Sequence, residues 1–282
     1  MRRERWRQAG NPVRTLEDAQ SFIESVGLCL MFPQRNLPPI PNFIAAFVGT
    51  ESGLPDWQHA FADPRAADAT GLMVRLLRER AAFEANYLDE NNPFLIAASV
   101  FPYFYALVGE RNPKQAPKPG ARSPYSQLSC DVFAVIHREG PISKQKLLEK
   151  IGAGLSAAVL DKGLAELWSK LRVTRVDYQQ NEGSVWDVLY RWAPEPVHEG
   201  IQLSVPEALS ALLSKYLDSV IAIEQTELET FFGRFVARSK VRDAVNALLS
   251  ARELGFTQVA NRSLLQIAPA REALPVAGST SK

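Results

Sequence analysis

A repeat of 81 residues in the second half of the chain restricts the fold more than any other feature. Residues 142–152 (ISKQKLLEKIG) align with residues 223–233 (IEQTELETFFG), so that Leu147 matches Leu228 and Gly152 matches Gly233. The next segment keeps the same offset, and its apolar residues fall at i, i+4, i+7 and i+8 in both copies. This spacing places them on one face of a helix, namely Leu160, Leu164, Leu167 and Trp168 over Val241, Val245, Leu248 and Leu249.

Each copy then continues into strand-like sequence. Residues 172–192 form two alternating runs around the turn at Asn181–Gly183, and residues 255–268 form two shorter runs around Asn261 and Arg262. Helix-start signals precede the helices: Ser123-Pro124 as an N-cap with a following proline, and capping boxes at 204–207 and 226–229. Three helices followed by a two-stranded wing in about 70 residues is the pattern of a winged helix.

Proline-rich segments divide the chain. Residues 109–124 contain four prolines and almost no apolar residues, which predicts a linker over 109–123, and residues 193–200 predict a second, shorter one. We therefore expect an N-terminal helical domain over 12–108, winged-helix domains over 124–194 and 203–269, and a disordered tail over 270–282. The predicted class is α+β, mostly helical.

The N-terminal region is predicted to be helical but irregular. Thr15 is placed to cap a helix that ends at Gly27, and residues 41–49 and 69–83 are predicted as further helices. The segment after them is predicted to break or kink at Pro102. Residues 28–32 form an apolar run that stops at Pro33, which is typical of a core strand ending in a turn.

Charge and cysteine content exclude few function classes. The 282 residues carry a net charge of +1, so any nucleic-acid surface must be a local patch. Arg2, Arg3, Arg5 and Arg7 form a basic arm that is either a solvated tail or a contact to phosphates. Two cysteines cannot build a disulfide framework, and no apolar run reaches about 18 residues, so a cytoplasmic location without a membrane span is expected.

The two copies differ on the face that a winged helix presents to DNA. The first copy has small residues and mixed charges there, with Glu182 at its wing tip, which favours packing against neighbouring parts of the protein. The second copy carries four cations and no acid between residues 234 and 242, at the start of the third helix, where phosphate is attracted. The predicted DNA contacts, despite Asp243 on the same face, are Arg234, Arg238, Lys240, Arg242, Asn246 and Arg262.

Two segments, residues 22–36 (FIESVGLCLMFPQRN) and 94–109 (FLIAASVFPYFYALVG), together with the tandem winged helices, resemble the AlkZ/YcaQ-type DNA glycosylase superfamily, which excises alkylated or crosslinked bases. The resemblance implies a catalytic pair of polar residues in the segment like 27–33. Aligned on Pro33, this chain has Leu30 and Phe32 there, and neither can position a water molecule. The polar residues that follow, Gln34, Arg35 and Asn36, are predicted as a turn or a substrate-contact loop.

The sequence therefore predicts a winged-helix protein that binds duplex DNA, without glycosylase activity and without a cofactor, and associated with the nucleoid when bound to DNA. Two alternatives stay open: an active glycosylase that uses unrecognised residues, and a scaffold whose winged helices bind protein. The three histidines, His59, His137 and His198, have no metal-ligand spacing. Three aromatic residues predicted on one strand face, Trp186, Tyr190 and Trp192, are expected in the core or at a domain interface.

Overall fold

The computed structural model describes residues 1–56, 58, 62–88, 92–152 and 154–269, so His59 and the predicted tail at 270–282 lie outside the described residues. The fold is α+β, as predicted, with three small antiparallel sheets. The first part of the chain contains α1 (Arg2–Arg5), α2 (Leu16–Val26), β1 (Leu28–Leu30), α3 (Phe43–Val48), α4 (Pro64–Arg78), β2 (Ala82–Ala85), β3 (Phe94–Ala97) and α5 (Phe101–Val108).

The second part contains the two copies of the repeat. The first copy comprises α6 (Gln127–Glu139), β4 (Ile142–Ser143), α7 (Lys144–Ile151), α8 (Ala157–Trp168), β5 (Val173–Gln179) and β6 (Gly183–Val188). Two short helices, α9 (Leu189–Trp192) and α10 (Pro194–Gln202), connect it to the second copy. The second copy comprises α11 (Val205–Val220), β7 (Ala222–Ile223), α12 (Gln225–Phe232), α13 (Arg238–Ser250), β8 (Leu254–Val259) and β9 (Arg262–Ile267).

The offset of 81 residues holds in the structure. Helices α7 and α12 begin at residues 144 and 225, and α8 and α13 begin at residues 157 and 238. Leu147 and Leu228 are both fully buried, and Gly152 and Gly233 both end their helices. The sheets also match, with strand orders β4-β6-β5 and β7-β9-β8. In each copy the first strand therefore pairs with the last, and the middle strand forms the outer edge.

The region predicted as an N-terminal helical domain follows the same order of elements. It runs α2, β1, α3, α4, β2, β3, and its strand order is β1-β3-β2. The predicted helix over 69–83 is wrong at its end, because α4 stops at Arg78 and residues 82–85 form a strand. Pro102 does not kink a helix either, since it lies in the first turn of α5, where its missing N–H has no intrahelical partner to lose.

The apolar residues form two separate cores. Residues of α6, α7, α8 and the β4-β6-β5 sheet make one cluster around Val132, Leu164 and Trp186. The other cluster joins the N-terminal region to the second copy, because α11 packs against both α5 and α2. The segments predicted as the first and last domains thus share a single core.

The predicted linker at 109–123 contains no helix or strand, but it is fastened to the first copy. The buried guanidinium of Arg172 lies 2.5 Å from the carboxylate of Glu110 and donates to the carbonyl of Asn112 (3.3 Å). It also lies over the ring of Phe133, at 4.7 Å from the centroid. Burial of this cation is offset by those partners, so the segment is held in place rather than loosely tethered.

The prediction of a second linker at 193–200 is wrong. Residues 194–202 form helix α10, with Pro194 in its first turn, where proline favours helix initiation. Proline content alone therefore does not distinguish a linker from a helix that starts at a proline. The guanidinium of Arg111 donates to the carbonyl of Leu203, 3.1 Å away, at the end of this helix.

Caps are partly as predicted. Thr15 forms a capping box with Asp18, and Ser204 accepts the N–H of Glu207. Helix α6, however, is capped by Ser126 instead of Ser123, and α12 begins directly after β7 with Glu224 as its N-cap, which places Thr226 inside the first turn. Two of the three aromatic residues predicted on one strand face also differ, because Trp186 lies in β6 whereas Tyr190 and Trp192 belong to α9.

The basic arm is not a solvated tail. Arg2 donates to the carbonyls of Val220 (2.7 Å), the last residue of α11, and Ala222 (2.6 Å), just beyond it. The buried Trp6 donates its indole N–H to the carbonyl of Ser219 at 3.0 Å. Cationic donors satisfy the carbonyls that a helix C-terminus leaves unpaired and interact favourably with its dipole. The arm therefore fastens the start of the chain to the second copy.

The first copy is docked onto the N-terminal region through a buried ion pair. The carboxylate of Glu84 in β2 is 1% exposed and lies 3.0 Å from the guanidinium of Arg175 in β5. Arg175 also lies over the rings of Trp168 and Trp186, at 5.2 and 5.5 Å from their centroids. Burial raises the pKa of Glu84, and the charge of Arg175 opposes that rise.

Helix lengths and polarity give one further result. Across residues 1–56, 58, 62–88, 92–152 and 154–269, no helix is long and apolar enough to cross a membrane.

Candidate nucleic-acid interface

Helix α13 carries the predicted basic surface on the face opposite its four buried apolar residues. Val241, Ala244, Val245 and Leu248 are buried at i, i+3, i+4 and i+7. The opposite face is exposed. We call residues 234–242, which span the turn before α13 and its first residues, the basic segment. Arg234, Arg238, Lys240, Arg242 and Asn246 are all exposed.

The N-terminus of α13 has neither a capping side chain nor an acidic side chain in its first turn. Its N-cap is Ala237, which has no side-chain acceptor for the first N–H groups, and its first turn contains no acid. Unpaired N–H groups and the positive end of the helix dipole are therefore left toward solvent, among cationic side chains. Such a helix start attracts anions, phosphate included.

Two of the predicted cations are engaged within the chain. Arg242 donates to Glu229 in α12, at 2.9 Å, and Gln225 donates to the same carboxylate at 3.0 Å. The hydrogen bond from Arg242 is the main reason that the pKa of Glu229 is lowered. Arg262, at the start of β9, lies 3.4 Å from Glu224. Arg234, Arg238 and Lys240 form no ion pair with any residue in the part of the chain that the structure describes.

The outward face of α13 beyond the basic segment is polar. Asn246 keeps its side chain exposed while its carbonyl accepts the hydroxyl of Ser250 at 2.8 Å. Asp243 is exposed on the same helix and interrupts the run of positive charge. The face thus combines cations at the helix start with an amide one to two turns later.

The apolar run that precedes the second predicted site is a core strand. Residues 28–32 are buried, and β1 pairs with β3. The side chain of Asn92 fixes the backbone of Phe32 from both sides, accepting its N–H and donating to its carbonyl, each at 2.9 Å. Leu30 and Phe32 therefore supply packing surface and no group able to transfer a proton.

The polar residues after Pro33 form a turn, as predicted. Gln34 is half-buried, Arg35 and Asn36 are exposed, and Asn36 has a left-handed backbone with φ of 66°. Asparagine tolerates this conformation better than most residues. The turn places Arg35 and Asn36 toward solvent.

An aromatic cluster connects the basic segment to the sheet whose strand β1 precedes the second predicted site. Phe235, within the basic segment, stacks on Phe94 of β3 with centroids 6.1 Å apart, and Phe94 pairs with Leu30 of β1. Tyr216 of α11 stacks on Phe231 (4.8 Å) and donates to the carbonyl of Pro39 at 2.6 Å. The basic segment and the loop that follows β1 are thus anchored on neighbouring parts of one core.

In the first copy, the end of α8 and strand β5 contact the N-terminal region. At the end of α8, the indole N–H of Trp168 donates to the carbonyl of Glu84 at 3.0 Å. Tyr87 hydrogen-bonds the carbonyl of Ser169, and Arg78 of α4 lies 2.6 Å from Asp177 in β5. Strand β5 of this copy is therefore engaged in contacts to the N-terminal region.

Sequence reasoning misses two kinds of residue that shape this surface. Phe235 stands inside a basic run, and only the spacing of Phe231, Phe232 and Phe235 signals that it belongs to a buried aromatic face. Glu224 and Glu229 are not recognisable as partners of the predicted cations, since they lie 38 and 13 residues from Arg262 and Arg242 in the chain.

Side chains that could ligate a metal ion are dispersed. Apart from residues 57, 59–61, 89–91, 153 and 270–282, which the structure does not describe, no three His, Cys, Asp or Glu side chains are grouped as a metal ion would need. Cys29 is fully buried, and burial raises the pKa of its thiol well above the ordinary value. Comparison of the chain with protein-family models, with curated proteins and with solved structures finds no match.

Proposed function

We propose that the two copies of the repeat are winged helices and that the chain binds duplex DNA through the second of them. The order helix, strand, helix, helix, hairpin supports this assignment, as does the pairing of the first strand with the last. In this arrangement α13 is the helix that enters the major groove and the β8–β9 hairpin is the wing.

The observation that carries the proposal is the start of α13. It combines an uncapped helix N-terminus with three exposed cations that form no ion pair with the described residues: Arg234, Arg238 and Lys240. The equivalent helix α8 is capped by Ser156 and is docked at its other end. The basic segment is thus the better phosphate contact of the two.

The residues would divide their roles. Arg234, Arg238 and Lys240 contact phosphates and fix the position of the helix on the duplex, whereas Asn246 reads a base edge, since asparagine can pair with adenine through two hydrogen bonds. Arg242 is held by Glu229, and we assign it to positioning α13 against α12. Arg262, in the wing, contacts the DNA backbone. To do so it leaves its ion pair with Glu224 and binds a phosphate instead.

We further propose that the protein does not excise bases. In relatives suggested by the resemblance, the segment like 27–33 carries polar catalytic groups, whereas Leu30 and Phe32 are apolar and buried here. Loss of a positioned acid–base group lowers a rate by about 10²–10⁴-fold. The proposed function is therefore DNA binding by a relative of repair glycosylases, without their chemistry.

The test is a salt titration of duplex binding by fluorescence anisotropy. Log K falls with log salt at about −0.9 per phosphate neutralised, so replacing Arg234, Arg238 and Lys240 by Ala should flatten the slope by about 2 to 3 units. A matched control removes three exposed cations of the first copy, Arg138, Lys146 and Lys150. An unchanged slope in the first variant, or an equal change in the control, would refute the assignment.

A further inference from the structure

Within the residues that the structure describes, β8 is the outer strand of the β7-β9-β8 sheet and pairs with β9 alone. Strand β8 has the sequence LGFTQV, which contains no charge and no proline. Phe256 and Val259, on opposite faces of the strand, are 54% and 52% exposed, and Ile267 of β9, which pairs with Leu254, is 37% exposed. Natural sheets usually block such edges with charges, bulges, prolines or a covering element, because unpaired N–H and C=O groups recruit another strand.

The equivalent edge strand of the first copy, β5, shows how such an edge is protected. The equivalent strand β5 carries Arg175 and Asp177, has a register shift between them, and is covered by α4 and β2. The N-terminal region contributes its own equivalent edge, β2, to that contact through Glu84. The edge strands β2 and β5 therefore contact each other inside the molecule. The third equivalent edge strand, β8, takes no part in that contact.

The hairpin geometry determines which groups of β8 point outward. Its turn is the pair Ala260 and Asn261, both left-handed, so the flanking residues Val259 and Arg262 form a hydrogen-bonded pair. Hydrogen-bonded and non-bonded pairs alternate along an antiparallel ladder. The N–H of Ala268 donates to the carbonyl of Glu253 at 2.8 Å, which agrees with this alternation. The groups left outward are those of Leu254, Phe256 and Gln258.

We propose that β8 pairs antiparallel with β8 of a second copy of this chain, about a two-fold axis that passes beside Phe256. Only a register that joins outward-pointing residues can form hydrogen bonds. Phe256 then pairs with Phe256 of the second copy, and Leu254 pairs with Gln258 in both directions. The two sheets become one sheet of six strands.

The side chains suit self-pairing. Residues directly opposite one another lie on the same face, so the two exposed Phe256 rings contact each other, and aromatic cross-strand pairs are favourable. Because β8 is uncharged, no like charges are brought face to face. Glu253 of each copy lies opposite Val259 of the other, and Val259 is itself paired with Arg262. An acidic side chain of one copy therefore lies near a basic side chain of the other at both ends of the interface. Six residues of edge are a small interface, so a dissociation constant on the order of micromolar is expected.

Sedimentation equilibrium of the full chain without DNA tests this proposal, and it does so independently of DNA binding. The wild type should show a concentration-dependent dimer. Phe256→Lys should weaken it by about 100-fold or more, because like charges would meet across the axis. Phe256→Pro should also abolish it while preserving the fold, since the N–H it removes points away from β9.

Tyr178→Thr is the matched control, because Tyr178 is an exposed aromatic residue of the equivalent strand β5. It should leave the dimer unchanged, and circular dichroism should show that all variants are folded. A wild type that stays at the mass of a single chain at all concentrations overturns the proposal. So does a dimer that survives both substitutions of Phe256, or one that is lost equally in Tyr178→Thr.

Discussion

The buried ion pair between Glu84 and Arg175 allows a sharp test of how the first copy is held. Replacing Arg175 by Met preserves much of the side-chain volume but leaves the Glu84 carboxylate, which is 1% exposed, without its cation. Removing one partner of a buried pair costs about 3–5 kcal/mol. Arg175 itself is 26% exposed, so we expect the lower end of this range.

The contacts with the two indoles change this figure little. Each cation–π contact contributes about 0.5–1 kcal/mol, and the thioether of Met recovers part of it against the same rings. We therefore expect Arg175→Met to lower the free energy of unfolding by about 3 kcal/mol. Replacing both partners, in Glu84→Met/Arg175→Met, should bring it back to within about 1 kcal/mol of the wild type, because the buried charge is gone as well.

The loss should depend on pH. Glu84 has a folded-state pKa above its ordinary value of 4.5, so its contribution to stability is complete below that value and declines as pH rises through the folded-state pKa. Without Arg175, burial acts unopposed and the folded-state pKa rises further. The deficit of Arg175→Met relative to wild type should therefore be larger at pH 8 than at pH 5.

Urea unfolding at both pH values measures these differences, with Trp168 and Trp186 as fluorescent reporters beside the substituted residue. Arg78→Met is the control, because its pair with Asp177 lies in the same interface but Arg78 is 53% exposed. It should cost no more than about 1 kcal/mol. A loss of less than about 1 kcal/mol in Arg175→Met, or a double variant as unstable as the single one, would refute the reasoning.

Three further predictions concern other parts of the molecule. Trp6→Ala should lower the free energy of unfolding by about 3 kcal/mol in urea titrations, because it removes a buried ring and its bond to the Ser219 carbonyl; an unaffected midpoint would mean that the arm is not fastened. Phe235→Ala should weaken duplex binding without flattening its salt slope, since it loosens the basic segment and removes no charge; a flatter slope would contradict this. Methylated or crosslinked duplex incubated with the protein should gain no abasic sites above background, and sites that vanish in Gln34→Ala or Asn36→Ala would show a working catalytic loop.

The sequence is most informative where local signals agree. Helical spacing, glycine stops and hairpin turns recur at one offset in residues 142–268, and the structure has the predicted helices and hairpins in that order, with the short strands β4 and β7 and the helices α9 and α10 in addition. The apolar run at 28–32 is also predicted correctly as a core strand, because polar residues follow it at once. These helices, turns and strands are determined by residues close to one another in the sequence.

The N-terminal region is harder to predict because its strands give little signal. Strands β1, β2 and β3 have three or four residues each and are buried throughout, so the alternation that marks a half-buried strand is absent from them. Ion pairs escape prediction for a different reason. Glu84 and Arg175 are 91 residues apart, and nothing in either local sequence indicates the other.

The shared core of the N-terminal region and the second copy has a consequence for synthesis. Helix α5 ends at Val108, and the α11 surface that covers it is complete only at Val220. At translation rates of about 5–20 residues per second, the N-terminal region waits roughly ten seconds on the ribosome with apolar surface exposed. The first copy, with its own core, can fold during that interval. The N-terminal region is thus among the last parts of the fold to reach its native contacts.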